Sequence, residues 1–135
     1  MKLLSVTIPS YNSQEYMEKA INSALIGGDD IEILVVDDGS SDNTLDIALK
    51  YEKKYPGIVR AIHKENGGHG SAVNTGLANA TGLYFKVLDS DDWFDKESLV
   101  KVLDFLREIV TDSKQLDMLI SNYVYEKPSA HKHKA

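Results

Sequence analysis

The sequence predicts an α/β fold, a mainly parallel sheet with helices on both faces. Two observations predict it. Short runs rich in β-branched residues alternate with segments whose apolar residues recur at helical spacing, in the order βαβαβαβαβ. One run, Ile31 to Val36, is almost continuously apolar, as suits a strand covered on both sides.

The elements follow in order. Leu3 to Ile8 is the first strand, stopped by Pro9. Gln14 to Ile26 is a helix in which Met17, Ala20, Ile21, Ala24 and Leu25 share one face, and Gly27-Gly28 ends it. Ile31 to Val36 is the second strand. Asp42 caps a helix over Asn43 to Tyr55, and Pro56-Gly57 terminates it. Ile58 to Ile62 is the third strand. A glycine loop, Gly67-Gly68-His69-Gly70, leads into a helix from Ser71 to Ala80. Leu83 to Leu88 is the fourth strand. Asp95 caps a helix whose stripe is Leu99, Val102, Leu103, Leu106, Ile109 and Val110. Asp117 to Tyr125 reads as a last strand. Residues 1–126 make one domain, and 127–135 a polar tail without periodicity.

Bulk properties narrow the function. Fifteen Lys and Arg against 21 Asp and Glu give a net charge of −6, which disfavours nucleic acid as a partner. The absence of cysteine excludes disulfides and thiolate metal sites. No apolar stretch approaches the roughly 18 residues that span a bilayer. Met1-Lys2-Leu3-Leu4 begins like a signal peptide, but Ser5, Thr7, Pro9 and Ser10 interrupt it. The expected location is cytoplasmic, with peripheral contact to the inner face of the membrane allowed.

Right-handed crossovers place all strand C-terminal ends on one edge, where ligands of open α/β sheets bind. Three polar clusters follow directly on three strands. In Pro9-Ser10-Tyr11-Asn12 the Tyr11 ring offers a stacking platform for a base; the alternative is a turn in which Asn12 or Ser13 caps the helix. In Asp37-Asp38-Gly39-Ser40-Ser41-Asp42 one carboxylate could accept a hydrogen bond from a nucleobase imide or a ribose; the alternative is two solvated loop acids. In Asp89-Ser90-Asp91-Asp92 three carboxylates repel unless a cation or donors offset them, and hard oxygen ligands suit Mg²⁺ or Mn²⁺. The alternative there is an acidic turn. The glycine loop departs from a dinucleotide fingerprint, since Val73 stands at its third glycine position. At Gly68 it still lets backbone approach a phosphate or ribose. His63 and His69 read as ordinary strand and loop residues.

Four segments in order carry a family resemblance: Ser5-Val6-Thr7-Ile8-Pro9-Ser10-Tyr11-Asn12; Val35-Val36-Asp37-Asp38-Gly39-Ser40-Ser41-Asp42-Asn43-Thr44; Asn66-Gly67-Gly68 with Asn74-Thr75-Gly76; and Leu88-Asp89-Ser90-Asp91-Asp92. Together they resemble family 2 glycosyltransferases of the Rossmann-like GT-A fold, over Leu3 to about Tyr125. The resemblance implies an inverting transfer from a nucleotide-diphosphate sugar, often a UDP-sugar. The acceptor would be a hydroxyl of a carbohydrate or glycolipid in cell-surface polysaccharide or glycoconjugate synthesis, with Mn²⁺ or Mg²⁺ as the cofactor. By the same resemblance Pro9 and Tyr11 line the base, Asp38 reads the uracil edge and Asp37 is its neighbour. Asp89, Ser90 and Asp91 match the DxD motif, with Asp89 toward the ribose and Asp91, with Asp89, at the metal.

Two departures from the family pattern qualify this. Many members carry arginine where this chain has Val73, which removes a diphosphate contact there. The family's catalytic base lies in a later segment, and Glu108 and Glu126 lack a matching context, so no residue is nominated as base. The expectation is that these 135 residues bind nucleotide weakly and transfer no sugar. Apolar surface normally covered by a second half would then favour a homodimer. Two rivals are a non-catalytic nucleotide- or protein-binding module and a phospho-receiver domain. Asp37-Asp38, Asp89 and Lys127-Pro128 mimic the receiver's residue set, but that reading leaves the first βα unit unexplained.

Overall fold

The computed structural model describes residues 2–112. The expected strand at Asp117 to Tyr125 and the polar tail lie outside the described residues. The elements are β1 (Leu4–Ser10), α1 (Met17–Leu25), a 3₁₀ turn (Gly28–Asp30), β2 (Ile31–Asp38), α2 (Thr44–Lys54), β3 (Val59–Lys64), α3 (His69–Asn79), β4 (Tyr84–Val87) and α4 (Lys96–Asp112). The sheet order is β3-β2-β1-β4, with every pairing parallel. This is the arrangement that a chain of right-handed crossovers gives when β1 lies inside the sheet.

Alternation along the strands divides the interior into two layers. Ile31, Ile33 and Val35 of β2 join a cluster with the apolar stripes of α1 and α4 and with Ala48 and Tyr51 of α2. The opposite face of the sheet is covered by α3, which approaches β1 so closely that a Cβ on Gly76 would stand 1.8 Å from Thr7 Oγ1. Leu4, Ile8, Ile21, Leu99 and Leu106 are among the fully buried side chains. Each contributes about 1.5–3 kcal/mol by leaving water. That burial, rather than helix propensity, holds short elements such as the nine-residue α1 in place.

Several boundaries differ from the sequence expectation, and the differences matter for the site. Residues 13–16 form a turn rather than the start of α1, with Tyr16 and Met17 amides donating to the Ser13 carbonyl at 3.1 and 2.9 Å. The third strand runs on to Lys64, because Asp37 and Asp38 continue the ladder opposite His63 and Lys64. Helix α3 starts at His69, inside the glycine loop.

The nearly apolar run of β2 hides one charge. Glu32 is buried and accepts hydrogen bonds from Ser5 Oγ at 2.7 Å, the Thr81 amide at 2.8 Å and Thr81 Oγ1 at 2.9 Å. Burial by itself raises its pKa, but these donors and nearby Arg60 more than offset that, and the carboxyl sits below its ordinary value. The network fixes the turn that delivers β4, since the Gly82 amide also donates to Ser5 Oγ at 2.8 Å.

Candidate functional site

The carboxyl ends of β1, β2 and β3 and the start of α3 surround a cleft of about 260 Å³. Pro9 and Tyr11 wall it from the β1 side and Asp38 from β2, and Asn66, Gly68, His69 and Ala72 close it from the loop and helix beyond β3. Pro9, Tyr11, Asp38 and Gly68 were all expected at a ligand edge, and they meet here. The Tyr11 ring is half exposed, as a stacking surface must be.

The β1–α1 loop and the β2–α2 loop are laced together. Asn12, held at φ 49°, donates its amide to Ser40 Oγ at 2.9 Å, and its Oδ1 accepts from the Ser41 amide at 2.9 Å. The Ser13 amide donates to Thr44 Oγ1 at 2.8 Å. Asp42 accepts from the Thr44 hydroxyl at 2.6 Å, the Thr44 amide at 3.0 Å and the Gln14 amide at 3.3 Å. Burial acts against its charge, but these donors outweigh that and lower its pKa. Asn12 and Ser13 therefore join loops, and α1 has no side-chain cap.

Asp37 and Asp38 avoid mutual repulsion by facing opposite sides of the sheet. Asp37 turns toward His63, whose Nδ1 lies 2.8 Å away, and accepts the Ser40 amide at 3.0 Å. It braces the turn behind the cleft and does not line it. Asp38 Oδ1 accepts from Lys64 Nζ and the Gly67 amide, both at 2.9 Å, and Oδ2 from the Gly68 amide at 3.0 Å and Asn66 Nδ2 at 3.5 Å. Burial pushes the Asp38 pKa up, but Lys64 and the two glycine amides push it down further, so the carboxylate stays charged well into acid.

Two glycines make this geometry possible. Gly68 holds φ +97°, a left-handed value that aims its amide at Asp38. Gly39 holds φ +74°, and a Cβ there would stand 2.6 Å from the Asn66 nitrogen.

In the acid loop after β4, Asp89 and Ser90 are half-buried, Asp91 is exposed and Asp92 is buried. Asp92 accepts the Trp93 amide at 2.8 Å and donates its own amide to the Asp89 carbonyl at 2.9 Å. Asp89 Oδ1 lies 3.9 Å from His69 Nε2, so the acid loop borders the cleft at His69. Lys86 is buried in β4 below this loop. Burial lowers its pKa to about 8, against the pull of Asp89 and Asp92. The loop thus carries its own counter-charge. Lys19 Nζ sits 3.6 Å from the Trp93 ring centroid and Ser23 Oγ accepts the Phe94 amide at 3.0 Å, which ties the far end of the loop to α1.

The more exposed carboxylates of the loop are those of Asp89 and Asp91. Among the described residues no three acidic or histidine side chains form a closed metal cage. Hard oxygen donors with open positions nevertheless fit Mg²⁺ or Mn²⁺, which bind through one or two carboxylates and complete their shells with ligand phosphates and water. The phospho-receiver reading fails on the same geometry. Asp37 and Asp38 are occupied by His63 and Lys64 and cannot serve as an open acidic pair.

Lys64 and Lys86 shape the site but had no sequence signal beyond their types, and Ser13, read as a possible helix cap, instead bonds to Thr44, Tyr11 and Ser90. His69 could have been found by noting that the glycine loop opens a helix on the binding edge.

Comparison with known proteins gives a consistent picture. The model of the family described as Glycosyl transferase family 2 matches residues 5–119. The chain is 34% identical over 138 residues to the minor teichoic acid biosynthesis protein GgaA of Bacillus subtilis, covering 96% of this chain and 30% of that protein. Residues 1–349 of Staphylococcus aureus TarS, solved in complex with UDP-GlcNAc, superpose with a TM-score of 0.69 at 38% identity, covering 80% of this chain and 32% of that one. The mannosyltransferase PcManGT of Pyrobaculum calidifontis, solved with GDP-Man and Mn²⁺, gives a TM-score of 0.67 at 25% identity, covering 76% and 32%. The chain spans 15 to 38% of the length of the curated relatives it matches.

Proposed function

This chain belongs to glycosyl transferase family 2 and has its GT-A fold, and from that premise we propose that it forms the donor-binding part of an enzyme that transfers a sugar from a nucleotide-diphosphate sugar, with a UDP-sugar as the best fit, to an acceptor hydroxyl with inversion. The reaction belongs to the synthesis of a cell-surface polysaccharide or glycoconjugate. Support for that setting comes from the teichoic acid relative, and for the donor from the TarS complex with UDP-GlcNAc.

The observation that carries the reading is the meeting of two post-strand clusters around one cleft on the ligand edge of the sheet, with the acid loop after β4 bordering it at His69 and tied to it through Ser13. In this reading the base stacks between Pro9 and Tyr11. Asp38 accepts the imide N–H of the base by releasing Asn66 Nδ2, whose 3.5 Å contact is the weakest of its four. Gly68 lets the backbone approach the ribose. Asp89 faces the ribose, and Ser90 presents the two acids. Asp37 acts one step back, by fixing the Asp38-Gly39-Ser40 turn.

Asp91, with Asp89, would hold Mn²⁺ or Mg²⁺. Such an ion supplies charge neutralisation at the diphosphate leaving group. Deprotonation of the acceptor hydroxyl is assigned to no residue of this cleft. No helix among the described residues is long and apolar enough to cross a membrane.

A thermal-shift screen of nucleoside diphosphates and their sugars, with and without Mn²⁺, tests the reading. UDP or a UDP-sugar should raise the melting temperature, and more so with Mn²⁺. No shift with any nucleotide would end the proposal.

A further inference from the structure

We propose that Ser13 is a positioning residue that couples the nucleobase end of the cleft to the metal end, through its hydroxyl contact with Ser90. The inference rests on the donor-site reading above, and it concerns a residue that touches neither base nor metal in that reading.

Ser13 is almost completely buried and stands where all three clusters join. Its amide donates to Thr44 Oγ1 at 2.8 Å, on the β2–α2 side. Its Oγ lies 3.2 Å from both the amide nitrogen and the carbonyl oxygen of Tyr11, and 2.8 Å from Ser90 Oγ. A hydroxyl has one proton to donate and two lone pairs to accept with. Ser13 Oγ can therefore accept from the Tyr11 amide, donate to the Tyr11 carbonyl and accept from Ser90. This assignment saturates it and makes Ser90 the donor of the bridge.

The consequence follows from the turn in the acid loop. Ser90 is the middle residue of Asp89-Ser90-Asp91, and the Asp92 amide donates to the Asp89 carbonyl across it at 2.9 Å. Holding Ser90 to Ser13 anchors this turn and with it the placement of both flanking carboxylates, Asp89 beside His69 and Asp91 exposed. The same Ser13 hydroxyl holds the Tyr11 backbone at its two polar atoms. A movement of the acid loop on binding a cation is therefore felt at the base platform, and the reverse holds too, because a coupling between two binding sites is reciprocal.

The test is calorimetry on the 135-residue chain with UDP, with and without Mn²⁺. The variants are Ser13→Ala, Ser90→Ala and the double variant. The quantity read is the ratio of the two UDP affinities, the factor by which Mn²⁺ tightens UDP. One net hydrogen bond corresponds to a loss of about two- to tenfold. Each single variant should lower the ratio by such a factor, and the double variant should fall no further than the lower single one. A purely structural Ser13 would weaken UDP equally with and without Mn²⁺ and leave the ratio unchanged, and that result overturns the proposal. So does a double variant whose loss is the product of the two single losses. If Ser13→Ala fails to fold, Ser90→Ala decides alone, because it removes only the bridge and leaves Ser13 bonded to Tyr11. A wild-type chain that binds no UDP sinks the donor-site reading and this inference with it. Wild-type binding with an unchanged ratio in Ser90→Ala sinks this inference only.

Discussion

Asp38 carries the densest chemistry of the cleft, and its role is double. It is the charge that gathers Lys64, Gly67 and Gly68, and it is the acceptor proposed for the base. Asp38→Asn should therefore damage both fold and binding. Loss of a charge-assisted network in a buried place costs about 2–3 kcal/mol, so the melting temperature should fall by roughly 10 °C. Tyr11→Ala should separate the two effects. Its ring is half exposed, so the melting temperature should hold, while UDP affinity measured by calorimetry should fall about three- to tenfold with the loss of stacking. The motif residues were visible in the sequence because strand ends on one edge can be read from alternation and turn chemistry. Lys64 was not visible. It became a site residue only when β3 proved to end two residues beyond its apolar run, at a point set by pairing with Asp37 and Asp38.

The elements respond to pH through their buried charges. Glu32, Asp38 and Asp42 all have folded pKa values below their ordinary 4.5 and 3.8, so the unfolded chain binds protons first as the pH falls. Their stabilisation is complete above about pH 5. It fades once the pH drops below those ordinary values, and it is gone below the folded ones. Urea midpoints measured from pH 7 down to pH 3 should be flat at first and then fall. Lys86 acts in the other range. Its folded value of about 8 lies below the ordinary 10.5, so the unfolded chain holds the proton longer, and stability gains from this residue as the pH rises between those values. Lys86→Met should abolish that alkaline gain. Neither charge was apparent beforehand. Glu32 sits in a run that reads as apolar, and Lys86 in a strand whose length gives no hint of which face is covered. Asp95 behaved as its position promised and caps α4, accepting from Ser98 at 3.0 and 2.9 Å. Asp42, expected to cap α2, does not: that helix starts at Thr44 with Asn43 at its N-cap and no side-chain cap, and Asp42 instead ties Thr44 to Gln14 of the neighbouring loop.

At the scale of the whole molecule the parallel sheet and the shared ligand edge were legible for the four described strands, because parallel crossovers leave few topologies open. What could not be read was how the loops on that edge hold one another: Asn12 to Ser40 and Ser41, Ser13 to Ser90, Gly39 against Asn66. Those contacts cross between loops 27 to 77 residues apart in sequence, and no periodicity encodes them. They make the edge one unit. Gly39→Ala, which forces a Cβ into the Asn66 backbone, should accordingly disturb nucleotide binding as well as stability, lowering the latter by about 1–3 kcal/mol in urea unfolding. For the donor site to work, the aromatic wall, the buried acid and the two exposed acids of the loop after β4 must grip one ligand together through a cation. Calorimetric titration of UDP into the wild type and Asp91→Ala, each with and without Mn²⁺, tests this directly. The wild type should bind UDP more tightly with Mn²⁺, and Asp91→Ala should show the same metal-free affinity in both conditions. An Asp91→Ala chain that keeps the full Mn²⁺ enhancement would contradict the account.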